Sequence, residues 1–452
     1  MSRPLPAEVS ARLQAHQLWR SSSGSAGQRY RATGLDLHAL DLSGSSLQEA
    51  ILRSCSFSSC QLAHADLSGA VLTGSLFQQV HAPDASLSQA ICWQTLWLGA
   101  SLPHLQAERA DFSEADLSQA DLSASSLRLA RFDQARLLGT SFRQANLQQA
   151  SFFQADLTGA DLTGARLWGA SFFGATGLES VRADWLDVGP PEQPERLTGE
   201  TARHWLRAAS TDSHPPEFHA WLQAHERWLR TYRKEGDQLV REGLDLHSLD
   251  LSAHQLDYAD LSYANFHGAL LRGCHLNEAF LAACSFNHAT LDEASLHESY
   301  CSRSRFQQAS LRRLNGTAAS FSFADLRGAD LSEALLNGSH FDWACLQGTC
   351  LRSANLEHAF FDRADLTGAD LTGARLWKAI LFGATGLESV RADWLDVGPL
   401  RQPERLIGEA ARRWLLWAAT SPPPPFLARL RDQGDPDPSP GLPSQLESED
   451  HP

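Results

Sequence analysis

No run of apolar residues in this 452-residue chain approaches the roughly 18 needed to cross a bilayer as a helix, so no transmembrane helix is expected. Met1 to Arg20 lack the apolar core of a secretory signal. The eight cysteines show neither Cys-x-x-Cys nor paired Cys/His spacing, which argues against a metal site. Disulfides are not expected, and a reducing cytoplasm is the compartment implied. There is no excess of positive charge. Acidic residues number 53 against 38 Lys and Arg, a net charge of −15, which argues against direct nucleic-acid binding. A Gly-rich phosphate loop, a His-Glu-x-x-His pair and a nucleophile elbow are also missing, so neither an enzyme nor a cofactor is expected.

What the chain has is repetition. Ala155-Asp-Leu-Thr-Gly-Ala-Asp-Leu-Thr-Gly-Ala-Arg-Leu-Trp168 advances in steps of five, and the same letters return at Ala364 to Trp377. Large residues fall at Leu37, Leu42, Leu47, Leu52 and Phe57, and again from Phe112 through Leu167 to Phe172. The count of fives holds for 28 units, with a small residue such as Ala165, Ala160 or Ala155 two places before each large one. An α-helix would scatter these leucines around its cylinder, because positions five apart drift by about 140°. A straight strand would throw alternate leucines to opposite faces. The pattern closes only if the chain turns a corner in every unit, with glycine supplying turn geometry. Phe112, Phe132, Phe152 and Phe172 are 20 apart, as are Phe57, Phe77 and Trp97, so four units make one coil. Seven such coils form a parallel β-solenoid about 34 Å long at ~4.8 Å per strand.

Every landmark recurs 209 residues later: Trp19 at Trp228, Phe57 at Phe266, Trp168 at Trp377, Trp185 at Trp394. The chain is therefore one module duplicated in tandem. The expected order is an N-terminal helical cap and link (1–34), solenoid one (35–176), an end cap and linker helices (177–243), solenoid two (244–385), a C-terminal cap helix (386–420) and a disordered acidic, Pro-rich tail (421–452). Cys55, Cys60, Cys274 and Cys284 take the small inward slot, Cys92 and Cys301 the large one, and Cys345 and Cys350 point outward. Between Leu76 and Ala107 the large slot weakens, and Leu105 and Ala107 exchange inward volumes. The second half repeats this at Leu314 and Gly316. Distorted coils without a long loop are expected there.

The units read Ala-Asp-Leu-x-x and so resemble the pentapeptide-repeat family, over about two-thirds of the chain. The resemblance implies an all-β repeat fold of two right-handed, four-sided parallel β-helices with short capping α-helices. It carries little about function. Some members, the quinolone-resistance proteins, mimic a DNA duplex, bind DNA gyrase and dimerise through C-terminal helices. The charge here opposes that role. Each solenoid nets −6, against about 20 negative charges on a duplex of ~34 Å.

The function expected is a protein-interaction scaffold with an unnamed protein partner. A gyrase-binding DNA mimic and a rigid spacer are the alternatives. Candidate surface residues are Trp93, Trp168 and Trp377 with Asp116, Asp121, Asp156 and Asp161. Trp185, Trp205, Trp394 and Trp414 are expected in the caps, through which the chain could self-associate. His38 and His247 read as surface residues, and His16 and His225 as cap contacts.

Overall fold

The computed structural model describes residues 5–210, 217–399 and 402–420. The expected disordered tail, 421–452, lies outside the described residues. Parallel bridges link residues 20 apart in unbroken series, from Asp36 with Ser56 to Asp156 with Thr176, and from Val240 with Asp260 to Asp365 with Thr385. Four residues five apart occupy the outward slot of each coil, so each solenoid has four walls. In solenoid one these begin at Asp36 (wall 1), Asp41 (wall 2), Ser46 (wall 3) and Ile51 (wall 4). In solenoid two they begin at Asp245, Asp250, Gln255 and Asp260.

Each corner is a tight turn. The small residue's N–H donates back to the large residue's carbonyl, as Ala130 does to Leu127 at 3.0 Å. The residue before it has positive φ at all 28 corners from Ala39 to Gly174. Glycine fills only nine of these (44, 69, 74, 99, 139, 159, 164, 169 and 174). Elsewhere Gln, Glu, Ser, His and others take the left-handed conformation at a cost of order 1–3 kcal/mol each. They are held by the ladder. The corner N–H of Gln134 donates to Phe153 one coil on, at 2.7 Å, and the next wall is bonded likewise. Glycine alone does not make the corners, as the sequence had suggested. The inter-coil hydrogen bonds do.

Inside, the aromatic columns stack as the spacing requires. Ring centroids of Phe112, Phe132, Phe152 and Phe172 lie 5.4, 5.1 and 4.8 Å apart in sequence, nearly coplanar. Phe266, Phe286 and Phe306 repeat this at 4.7 and 4.8 Å. The weak patch keeps the count. Bridges run through it, Leu105 and Ala107 are fully buried, and Leu314 fills space beside Gly316.

The coils extend past both expected limits of solenoid one. At its start, β1 (Arg31–Thr33) pairs in parallel with β2 (Ile51–Arg53). At its end, Asp161 bridges Arg182 and Arg166 bridges Asp187, now 21 apart. A single 3₁₀ turn, Leu178–Ser180, absorbs the extra residue. Gly177 enters it at φ 75°, where a Cβ would stand 2.3 Å from Thr158 Oγ1. Leu178, Val181 and Leu186 are buried over the end of the column. Beyond them β3 (Trp185–Asp187) pairs antiparallel with β4 (Arg196–Thr198), and α2 (Gly199–Ala209) seats Ala202 and Leu206. The second module ends alike: β5 (Trp394–Asp396), β6 (Arg405–Ile407), α4 (Glu409–Thr420).

The entry helices α1 (Ala7–Ser21) and α3 (Phe218–Arg230) cap the starts of the two solenoids. His16 and His225 are buried in them. Tyr30 N–H donates to His16 Nδ1 at 3.0 Å, and Leu239 N–H does the same to His225. Burial pushes His16 down to about 4, so it is neutral at pH 7. The eight cysteines are free thiols, with Cys345 and Cys350 the least buried.

Candidate interaction surfaces

The aspartates expected on the surface lie on the outward walls, but each has work within its own corner. Asp116, Asp121, Asp156 and Asp161 accept the backbone N–H two residues ahead, from Ser118, Ser123, Thr158 and Thr163, at 2.9–3.0 Å. Asp325, Asp330, Asp365 and Asp370 repeat the bond in solenoid two. This Asx turn satisfies a donor that the bend removes from the ladder. Arg136 reaches Asp116 at 3.2 Å, and Arg143 reaches Asp161 at 2.9 Å. Burial opposes ionisation of Asp161, but hydrogen bonds from Thr163 and Arg143 outweigh it and lower its pKa. The recurring acids are therefore turn-formers, partly neutralised, and no acidic stripe results. The Asp-x-Ser/Thr spacing was the sequence signal for this role.

Trp93 is not an outward-facing anchor. It is buried between the two solenoids, which lie side by side and antiparallel. Wall 4 of solenoid one receives wall 1 of solenoid two and its leading corner. At one end Ile51, Val71, Ile91 and Trp93 pack against Phe323 and Trp343, two aromatic corner residues held at φ 61°. Arg31, Arg53 and Arg363 cover the Trp343 ring at 5.0–5.5 Å, and Arg53 donates to the Trp343 carbonyl at 2.7 Å. In the middle Asp133 receives Arg131 at 2.5 Å and Arg305 from the other solenoid at 2.7 Å, all three buried. Arg131 also donates across the junction to the Ala283 carbonyl. At the other end His247 stacks on Phe173 at 3.8 Å with Nδ1 2.8 Å from Asp245, so it is not the surface residue expected. His267 tilts over Phe153 at 4.6 Å, and burial among like neighbours pushes it down to about 4.

Trp168 is exposed beside the end of solenoid one, while Trp377 is half-buried, edge-on to His358 at 4.9 Å and beneath Lys378 at 4.4 Å. Trp185 and Trp394 lie in the caps under Arg196 and Arg405, at 4.1 and 4.0 Å. Trp205 and Trp414 pack against the two cores. Among the described residues no group of three or more His, Cys, Asp or Glu could hold a metal, and no helix is long and apolar enough to cross a membrane.

A family model for pentapeptide repeats matches eight times, over 36–74, 84–119, 110–149, 150–176, 243–278, 274–313, 317–352 and 349–385. This chain belongs to the pentapeptide-repeat family. No curated protein matches it. Among solved structures it is similar to QnrB1, a plasmid-mediated fluoroquinolone resistance protein, at 16% identity over 35% of this chain and 80% of that one, TM-score 0.28. HetL, involved in heterocyst differentiation regulation in the cyanobacterium Nostoc sp. strain PCC 7120, matches at 23% identity over 77% and 93%, TM-score 0.19. Rfr23 from the cyanobacterium Cyanothece 51142 matches at 21% over 32% and 91%, TM-score 0.18.

A pentapeptide-repeat protein that contains its own duplicate carries an internal control, and it exposes a patch the sequence reading missed. On the second end cap Ile407, Leu416 and Trp417 are 67%, 42% and 63% exposed. Their counterparts 209 places earlier are Thr198, Arg207 and Ala208. The buried faces of the two helices agree, with Ala202 and Leu206 matched by Ala411 and Leu415. Only the outward face has become apolar. Aligning the halves at that offset would have shown it.

Proposed function

We propose that this protein is a non-enzymatic interaction scaffold: two four-sided β-helices, right-handed as in the family, that present rigid surfaces to a protein partner. The observation that carries this reading is the outward face of α4. Module one carries Thr198, Arg207 and Ala208 at the positions of Ile407 at the end of β6 and Leu416 and Trp417 on α4, so burial in the fold does not demand these large apolar residues. A large aromatic with two aliphatic neighbours is what a binding anchor requires. Self-association through the cap helices would use this same face. Trp168 and Trp377, at opposite ends of the antiparallel pair, are two further candidate anchors.

The test grafts module one onto module two: Ile407→Thr, Leu416→Arg and Trp417→Ala together. These residues already fold in the same positions of the first end cap, Thr198 at the end of β4 and Arg207 and Ala208 in α2, so stability should hold. Affinity capture from lysate should lose its main prey with the graft, and Trp168→Ala and Trp377→Ala, made separately, measure the other two. An unchanged prey list for the graft removes α4 from the reading. Gyrase binding by DNA mimicry has less support, because the wall aspartates are tied into turns and paired with Arg136 and Arg143. A supercoiling assay without inhibition at micromolar protein eliminates it.

A further inference from the structure

Wall 4 of solenoid one, the row Ile51, Val71, Ile91, Asp111, Arg131, Ser151 and Ser171, is covered by solenoid two. The same wall of solenoid two lies 209 residues on: Asp260, Phe280, Tyr300, Ser320, His340, Phe360 and Ile380, one column of parallel bridges. It is open. Phe280 and Tyr300 are 38% and 43% exposed and stack at 5.0 Å, and His340 and Phe360 stack at 4.5 Å. We propose that this wall binds the same wall of a second copy of the chain, face to face with the solenoid axes antiparallel.

The order of residues argues for that occupant. A two-fold axis through Ser320, running along the strands, places Tyr300 opposite His340 and Phe280 opposite Phe360. Two stacked ring pairs on each copy then meet two on the other. The corner row along one edge reads Tyr258, Glu278, Glu298, Ala318, Gly338, His358 and Lys378. The same axis brings Glu278 to His358 and Tyr258 to Lys378, a charge pair and a cation over a ring. Glu298 meets Gly338 and Asp342 meets Ser302, while Asp362 is buried in its own chain, so no acid faces an acid. The parallel arrangement would set Asp260 on Asp260 and His340 on His340 and is disfavoured. The fold already uses this wall for protein: its counterpart in solenoid one holds another solenoid, also antiparallel.

This contact shares with the scaffold reading only the idea that exposed surfaces bind protein, and the α4 graft separates them. Sedimentation of the full chain should give twice the 49.5 kDa chain mass at ~50 μM, with or without the graft. Phe280→Lys with Tyr300→Lys should give a monomer with unchanged circular dichroism. Should that pair disturb folding, the edge decides. Glu278→Lys should weaken the dimer about tenfold or more, and adding His358→Glu should restore it. A monomeric parent chain overturns the proposal. So does a dimer lost with the α4 graft alone, one indifferent to the charge exchange, or open-ended growth with concentration.

Discussion

Asparagine at position 133 is expected to part the two solenoids without melting either. The Asp133 carboxylate is where Arg131 and Arg305 converge, 2.5 and 2.7 Å away, and Ser151 donates to it as well. Asp133→Asn keeps the shape and removes the charge, leaving two buried guanidiniums that share only Asp111, at 4.0 Å from Arg305. Removing one partner of a buried pair costs about 3–5 kcal/mol. Each solenoid closes its own core, so the cost falls on the junction. X-ray scattering should show a larger radius of gyration, and Trp93 and Trp343 should report solvent exposure in urea well before the cores unfold. Replacing the whole cluster, with Asp111→Asn, Arg131→Met, Asp133→Leu and Arg305→Met, should recover most of the closure, because the desolvation cost leaves with the charges. The pH dependence follows. Burial raises the Asp133 pKa, but the two arginines outweigh it and hold it at about 2. A depressed carboxyl stabilises above its unfolded value near 4, and that stability is lost as pH falls through about 2. The reasoning fails if Asp133→Asn stays compact in urea like the parent, or if the fourfold uncharged variant opens further than the single change.

Phe132→Ala removes one ring from a column with neighbours above and below, and should cost about 3–5 kcal/mol in chemical denaturation of solenoid one, leaving solenoid two unmoved. Gly164→Ala places a methyl 2.9 Å from Trp185 Cζ2 at a corner of φ 77°, so the end cap should loosen and proteolysis within 177–210 should accelerate. Asp156→Ala loses the bond to Thr158 N–H and should lower stability by about 1 kcal/mol, read as a shift in thermal midpoint. His16 is held neutral, with its pKa lowered from 6.5 to about 4. The unfolded chain therefore binds the proton first, and α1 should weaken by about 1.4 kcal/mol per unit as pH falls from 6.5 toward 4. Fluorescence of Trp19, stacked on His16 at 5.5 Å, reports it, and His16→Gln should flatten the profile.

The coil was legible because its cause is arithmetic. A period of five in the large residues and of twenty in the aromatics admits one closed geometry, and Phe112, Phe132 and Phe152 lie on one column as that geometry requires. The corners were legible in place but not in mechanism. Glycine was credited for a conformation that Gln134 and Phe323 also adopt under the pull of the ladder. The junction was not legible. Trp93 and His247 read as surface residues because a wall residue in one solenoid gives no sign of what the other brings to it. Residues 174–190 return without a change at 383–399, and the contacts of the caps give a physical reason. Trp185 lies on Gly164 and Trp394 on Gly373, while Gly177 lies against Thr158 and Gly386 against Thr367. Cap and coil constrain each other in both modules.

Because the chain doubles back, Arg31 and Arg53 of the first coil sit beside Trp343 near the end of solenoid two, and Phe173 of the last coil sits beside His247 near its start. Helices α1 and α4 therefore emerge at the same end. Force applied through residues 7 and 420 would not stretch the two shafts in series. It would pry them apart from that end, meeting the aromatic corner first and the buried arginines next. The molecule should yield to such a pull by unzipping in small steps, while a load across the walls would have to shear every contact of the seam at once.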